Sequence, residues 1–311
     1  MSDTTNQDLS GVAETLLMTL YIRAMESQRP DALIKDEKAV ALVTQMSSDA
    51  SMRYDFDRVR QVKMDEDDKV TVILRNLEFD RYARDFLTRH PEAVVVHIGC
   101  GLDSRFERVD NGQVEWYDLD LPEVIELRRK FTGDEGERYH LLGCSVFEDA
   151  WLETVSAHRQ ETWRRPRSFL FMAEGVLMYF EEAQVKSLVL VLREHFPGAE
   201  LVIDAFSPYI VWANNLRLSI TKLGARYHWG LRRGQEIEGW GDASPTGAGI
   251  RLLDEWGYFD RPEPRLHSFR WMAPIFRLLK PFRVFRFQLG VAAETASSIC
   301  SCSPCSATNW R

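Results

Sequence analysis

Residues 94–122 read VVVHIGCGLDSRFERVDNGQVEWYDLDLP, and their order decides the fold. An apolar run, Val94 to Ile98, enters the turn Gly99-Cys100-Gly101. A second short strand, expected over 114–117, follows and ends in Asp118 and Asp120, the latter about twenty residues beyond the turn. A doubly wound sheet offers a nucleoside this combination: a glycine turn as floor and a carboxylate for the ribose. The dinucleotide fingerprint G-x-G-x-x-G needs a third glycine so that a pyrophosphate can approach the helix. Ser104 stands there. A cofactor without phosphates, such as S-adenosylmethionine, would not miss that glycine, so the turn favours it over NAD.

Working outward from this stretch, the chain alternates. Strands are expected at 94–98, 139–142, 168–172 and 201–204, with helices at 121–131, 150–158 and 181–196 between them. Such alternation builds a parallel sheet with helices on both faces. The continuous apolar strands VVVHI, FLFM and LVI suit burial on both sides. Upstream, helical periodicity predicts helices over 12–26, 36–46 and 66–89. Beyond Phe206 an aromatic and basic stretch, 207–250, suggests a lid. A helix over 250–256 and a strand over 282–287 are expected to complete the core.

Composition sets the bounds. The 311 residues are 45% hydrophobic, enough for a large core, and carry a net charge of −8, with a pI near 5.5. That acidity argues against nucleic acid as the main partner, since phosphate binding needs a basic face; Arg164-Arg165-Pro166-Arg167 is read as a solvated loop. No run approaches the ~20 apolar residues of a membrane span, and the polar N-terminus lacks the order of a signal peptide. Of the five cysteines, Cys300, Cys302 and Cys305 crowd the tail without a fourth ligand. No disulfide framework and no metal site is expected, and a cytoplasmic location is.

The phrases VVVHIGCGLDSR, WYDLDLPEVIELRR, AEGVLMYF and FPGAELVID, with weaker echoes such as RPDALIKDEKAV, VILRNLEFD and GIRLLDEWGYFD, run from about residue 20 to 290. In them the chain resembles the leucine carboxyl methyltransferase superfamily, specifically its bacterial, tetracenomycin-pathway-like (TcmP-like) O-methyltransferases. The resemblance implies an α/β, Rossmann-like class I methyltransferase with a mostly parallel seven-stranded sheet. It also implies an N-terminal helical segment (1–90), a core (91–206), a lid (207–250), a last helix and strands (251–291) and a tail (292–311).

Carried over to this chain, the resemblance implies S-adenosylmethionine as cofactor. Arg75 would hold the methionine carboxylate, assisted by Lys35. Gly99 and Gly101 would floor the amino-acid tail, and Asp120 would take the ribose, with Asp118 as its competitor. Ser145 and Val146 would lie along the adenine, and Glu174 near the amino group and the methyl, with Tyr179 closing the motif. The family often has Thr where this chain has Asn76. The implied partner is a small, polyketide-like acceptor methylated on a carboxylate or hydroxyl. Alternatives are a protein C-terminal carboxylate, a non-catalytic cofactor-binding homologue and an NAD-dependent oxidoreductase.

A carboxylate acceptor needs no general base, whereas a phenol with a pKa near 10 benefits from one. Acceptor-side candidates are Tyr54, Asp55, Tyr209 and His228, with no base assigned. His97 and His140 are read as strand histidines with satisfied partners.

Overall fold

Val94–Ile98 (β1) is buried along its whole length, as an apolar run with helices on both sides requires. The computed structural model describes residues 4–48, 64–132, 135–157, 167–221, 226–241, 248–267 and 273–292. The N-terminal segment supplies α1 (Thr4–Ser27), α2 (Glu37–Ser48) and α3 (Glu66–Arg89). The core then runs β1, α4 (Arg105–Val109), β2 (Glu115–Asp120), α5 (Pro122–Thr132), β3 (Tyr139–Gly143), α6 (Ala150–Ser156), β4 (Phe169–Ala173), α7 (Glu182–His195) and β5 (Glu200–Phe206). It closes with α8 (Pro208–Thr221), α9 (Gln235–Glu238), β6 (Ala248–Gly257), α10 (Ala273–Leu279) and β7 (Phe282–Ala292).

The seven strands form one sheet in the order β3-β2-β1-β4-β5-β7-β6. β1 to β5 are parallel, and β7 joins β5 and β6 antiparallel. The chain winds outward through β1, β2 and β3, then returns to the other side of β1 as β4. That reversal opens a crevice beyond the carboxyl ends of β1 and β4, where open α/β sheets take ligands.

Side-chain alternation divides the core between the two faces. Val94, Val96 and Ile98 pack with Trp151 and Val155 of α6 and with Val185, Leu188 and Leu192 of α7. Val95 faces the other way, with Trp116, Met172 and the apolar side of α3 (Phe79, Tyr82, Phe86). Leu17, Leu20 and Ala24 of α1 pack on Ala39, Leu42 and Met46 of α2 and reach Leu102 after the glycine turn. The N-terminal helices are thereby fastened to the sheet beside its crevice. Among the described residues no helix is long and apolar enough to cross a membrane.

Three expectations need correction. Residues 250–256 are strand β6, not helix. Ile250, Leu253 and Trp256 fall at helical spacing, but a short apolar run does not fix its own periodicity, and pairing with β7 decides it. The lid boundary expected at residue 250 therefore falls inside a strand. The second strand continues through Asp120, so both acidic residues lie within it. Residues 54, 55, 164–166, 300, 302 and 305 lie outside the described residues.

Candidate active site

At the end of β1 the chain doubles back on β2: the Gly99 and Cys100 N–H groups both donate to the Leu119 carbonyl (2.7 and 3.3 Å). Gly99 and Gly101 take φ values of +64° and +52°, which L side chains rarely adopt. A Cβ on Gly99 would sit 2.2 Å from Val176 Cγ2, in the loop after β4. Glycine there is demanded by both backbone and space. Gly99→Ala is expected to cost about 2 kcal/mol, from the left-handed backbone and the displaced Val176. A thermal melt reads that loss, and an unchanged Tm would show that the turn relaxes freely.

Asp120, last in β2, ties the turn down. Its Oδ2 accepts from the Gly101 N–H and its Oδ1 from the Leu121 N–H, both at 2.8 Å. Burial pushes its pKa above the ordinary carboxylate range, partly offset by these two N–H groups. Its rival Asp118 points elsewhere: its carboxylate is buried and receives Arg128 (2.5 Å), the Tyr139 hydroxyl (2.6 Å) and the Trp116 indole N–H (2.8 Å). The two carboxylates share one face of β2, and their positions along it separate them: Asp120 ends the strand against the glycine turn, whereas Asp118 lies one step back among Arg128, Tyr139 and Trp116.

Glu174 follows β4 and is already held by three donors. Oε1 accepts from Arg75 Nε (2.8 Å) and Asn76 Nδ2 (2.9 Å), and Oε2 from an Arg105 terminal nitrogen (2.5 Å). Arg75 also reaches Asp204 Oδ2 at the end of β5 (3.2 Å), while Asp204 Oδ1 accepts from the Gly175 N–H (2.7 Å). Burial works against the Arg75 charge, but Asp204 and Glu174 outweigh it and raise its pKa. Arg105, with its side chain fully buried, bridges Glu174, Asp80 (2.7 Å) and Asp103 (3.0 Å). Arg108 continues from Asp80 to Asp36 (2.8 and 2.9 Å), and Asp36 binds Arg23 of α1 (3.1 Å). A connected ionic chain thus runs beneath the crevice from α1 to β5.

The crevice holds about 300 Å³, at the lower end of the range for ligand sites. Arg75, Gly99, Gly101, Asp120, Ser145, Val146, Glu174 and Tyr179 all line it. Lys35 does not. Its ammonium donates to the Ser27 and Arg29 carbonyls (3.0 and 3.2 Å), fastening the α1–α2 connection, and faces a separate surface concavity. Tyr209 is exposed on α8 and His228 pairs with Glu181 (2.7 Å); neither lines the crevice. His97 accepts at Nε2 from Arg105 (3.2 Å), so its hydrogen sits on Nδ1, 3.5 Å from Asp118. His140 pairs with Glu115.

Sequence reasoning missed the contribution of α1, whose Thr15, Thr19 and Arg23 roof the crevice. Their i, i+4, i+8 spacing is one helix face and was the available signal. It also missed Phe147 and Phe180, whose rings meet edge-on at 4.9 Å beside the crevice. Nothing local marked those two.

A family model for leucine carboxyl methyltransferases matches residues 16–192, which include the whole glycine turn, Asp120 and Glu174. The chain belongs to the leucine carboxyl methyltransferase family. Its sheet is the mostly parallel, seven-stranded Rossmann-like sheet expected above, and its reaction class is methyl transfer. It is 33% identical over 255 residues to the tetracenomycin polyketide synthesis O-methyltransferase TcmP of Streptomyces glaucescens, covering 82% of this chain and 86% of that protein. It is 27% identical to the S-adenosyl-L-methionine-dependent methyltransferase dpfgK of Gibberella zeae, over 74% of this chain and 78% of the relative. The crystal structure of a DUF574 family protein from Streptomyces avermitilis shares the fold, with a TM-score of 0.51 at 12% identity over 88% of this chain and 97% of that one.

Proposed function

We propose that the chain is an S-adenosylmethionine-dependent O-methyltransferase that methylates a carboxylate or hydroxyl of a small, polyketide-like acceptor. The observation that carries the cofactor assignment is the state of the first turn after β1. A dinucleotide's pyrophosphate docks on the helix that follows such a turn. Here Asp103 precedes that helix, and the Ser104 hydroxyl donates to both oxygens of Asp36 (2.6 and 2.7 Å). Both carboxylates are held by arginines, and the Ser104 side chain, engaged by Asp36, stands where the fingerprint has its third glycine, an arrangement that suits a ligand without phosphates. The acceptor class is supported by the likeness to TcmP, a tetracenomycin polyketide synthesis O-methyltransferase, over 82% of this chain.

In this reading Arg75 holds the methionine carboxylate with the donors that Glu174 and Asp204 leave free, and Asp120 accepts the ribose hydroxyls. Gly99 and Gly101 form the floor, Ser145 and Val146 lie along the adenine, and Tyr179 closes the far wall. Glu174 acts chiefly by fixing Arg75 and Asn76, since its own oxygens are occupied. S-adenosylmethionine, when bound, supplies a methyl group already activated by a neutral thioether leaving group. What remains for these residues is alignment of acceptor oxygen and methyl, worth several kcal/mol, and exclusion of water beneath α1.

Calorimetric titration with S-adenosylmethionine tests the assignment: micromolar binding is expected, and none to NAD. Hydroxyls donate best to an ionised carboxylate. Burial raises the Asp120 pKa from its ordinary value, so the ionised, tight-binding state is lost at a higher pH than an ordinary aspartate would set. Affinity is expected to fall on acidification through that raised pKa, before ordinary carboxylates titrate. An affinity that stays flat until the ordinary carboxylate range would remove Asp120 as the ribose anchor.

A further inference from the structure

Two stretches stand apart in an acidic chain. Residues 208–233 and 268–283 together hold nine Lys or Arg and no Asp or Glu, although the chain carries a net charge of −8. The fold brings parts of both to one rim. Phe206, at the end of β5, is in register with Phe282 at the start of β7, and the Ser207 N–H donates to the Pro281 carbonyl (2.9 Å). α8 therefore leaves the sheet where the chain from α10 enters it. Because β1, β4 and β5 run parallel, this is the rim on which the crevice opens.

Both helices turn an apolar stripe outward there. On α10 the half-buried Phe276 stacks on Phe259 (4.8 Å), while Ile275, Leu278 and Leu279, at i, i+3 and i+4, are exposed, Leu278 by 84%. On α8 Val211 is buried, while Tyr209, Trp212 and Leu216, at i, i+3 and i+7, are exposed, Trp212 by 69%. Tyr209 and Leu279 stand two residues to either side of the Ser207–Pro281 bond. Among the described residues these six are most of the large apolar side chains left exposed, a concentration that marks an interaction surface rather than scattered exposure.

Unspent positive charge lies at the same corner. Arg226, Arg232 and Arg233 are exposed. The Leu231 N–H donates to the Phe206 carbonyl (2.8 Å), and the Arg283 guanidinium donates to the Arg232 carbonyl. Lys280 and Arg283 are engaged by Glu255, whereas among the described residues Arg226, Arg232 and Arg233 have no ion-pair partner. The arginines beneath the crevice are the contrast, since Arg75, Arg105 and Arg108 each hold two or three carboxylates.

We propose that this rim docks on an anionic lipid membrane, with the apolar stripes entering the interface and the free arginines meeting the headgroups. Trp, Tyr and Leu beside Arg are the side chains that settle at a bilayer surface. The remaining acidity of the chain does not oppose this, because charges more than about 8 Å from the contact are screened at physiological salt. A second copy of the chain fits less well, since a two-fold contact would set arginines against arginines. A protein partner takes its anchors in pockets, and here the apolar groups protrude. The inference holds whichever acceptor is methylated, and docking would set the crevice mouth beside the phase in which a lipophilic acceptor concentrates.

The test sediments the full chain with vesicles of phosphatidylcholine alone, or mixed equally with phosphatidylglycerol. Binding to the mixed vesicles is expected, with little to the neutral ones and a steady loss as salt rises. Replacing both arginines, Arg232→Ser with Arg233→Ser, should weaken it about 30-fold. Leu278→Ser should weaken it about tenfold. All three side chains are exposed, so the melts should match wild type. Equal binding to both vesicle types, or none to either, would overturn the proposal. So would a dimer in light scattering that Leu278→Ser dissolves, which would give the surface to a second copy. Retention on poly-L-glutamate as strong as on vesicles and untouched by Leu278→Ser would assign it to an acidic protein and equally overturn it.

Discussion

Arg105→Met is expected to lower folding stability by about 3–5 kcal/mol. The arginine side chain is completely buried and bonded to Asp80, Asp103 and Glu174. Methionine fills much of the same volume, so the loss is electrostatic rather than a cavity effect. Three carboxylates would share the remaining cations. Asp103 feels this most: burial alone would raise its pKa, and Arg105 leads the charges that hold it well below the ordinary range. A group with a depressed folded pKa contributes stability above its unfolded pKa and loses it as pH falls toward the folded one. The variant should therefore lose most at neutral pH and recover part of the difference on acidification, as the stranded carboxylates protonate. Urea denaturation at both conditions reads this. A midpoint equal to wild type at neutral pH would mean that the ionic chain does not hold α1 and α3 to the sheet.

Asp120→Ala is expected to weaken S-adenosylmethionine binding by about 10²-fold or more, since two hydrogen bonds to a charged acceptor contribute about 1.5–3 kcal/mol each and 1.4 kcal/mol is tenfold. The effect on folding should be far smaller. Removing the side chain leaves the Gly101 and Leu121 N–H groups without their acceptor, but it also removes a buried charge that desolvation opposes. Calorimetry on a variant whose melt is within a few degrees of wild type isolates the ribose contact. Unaltered affinity in such a folded variant would move the ribose elsewhere.

The two experiments divide what the sequence exposed from what it hid. The glycine turn and Asp120 were legible because both signals are local: a strand, a φ-permissive turn, and a carboxylate one β-α unit later. Asp120 and Asp118 remained competitors at that level, since they share one face of the strand and only the packing of Arg128 and Tyr139 engages Asp118. A motif match says nothing of where the Lys35 ammonium points, and in the fold two nearby carbonyls engage it. Strand β6 was misread as helix because Ile250, Leu253 and Trp256 fall at helical spacing while Ile250, Leu252 and Trp256 fit a strand, and the deciding partner, β7, lies some thirty residues on.

By itself the sequence determined the β-α alternation, the doubly buried strands, the glycine turn and the family, because each is written in residues close together in the chain or in phrases long enough to be specific. Tertiary structure alone decided how the crevice is charged and roofed. Arg75 meets Asp204 across 129 positions, and Arg105 meets Glu174 across 69, so no local pattern reports that Glu174 is already engaged. The same holds for Thr15, Thr19 and Arg23 over the crevice and for His228 against Glu181. Local periodicity fixes which elements form, and only packing brings distant charges within hydrogen-bond range of one another.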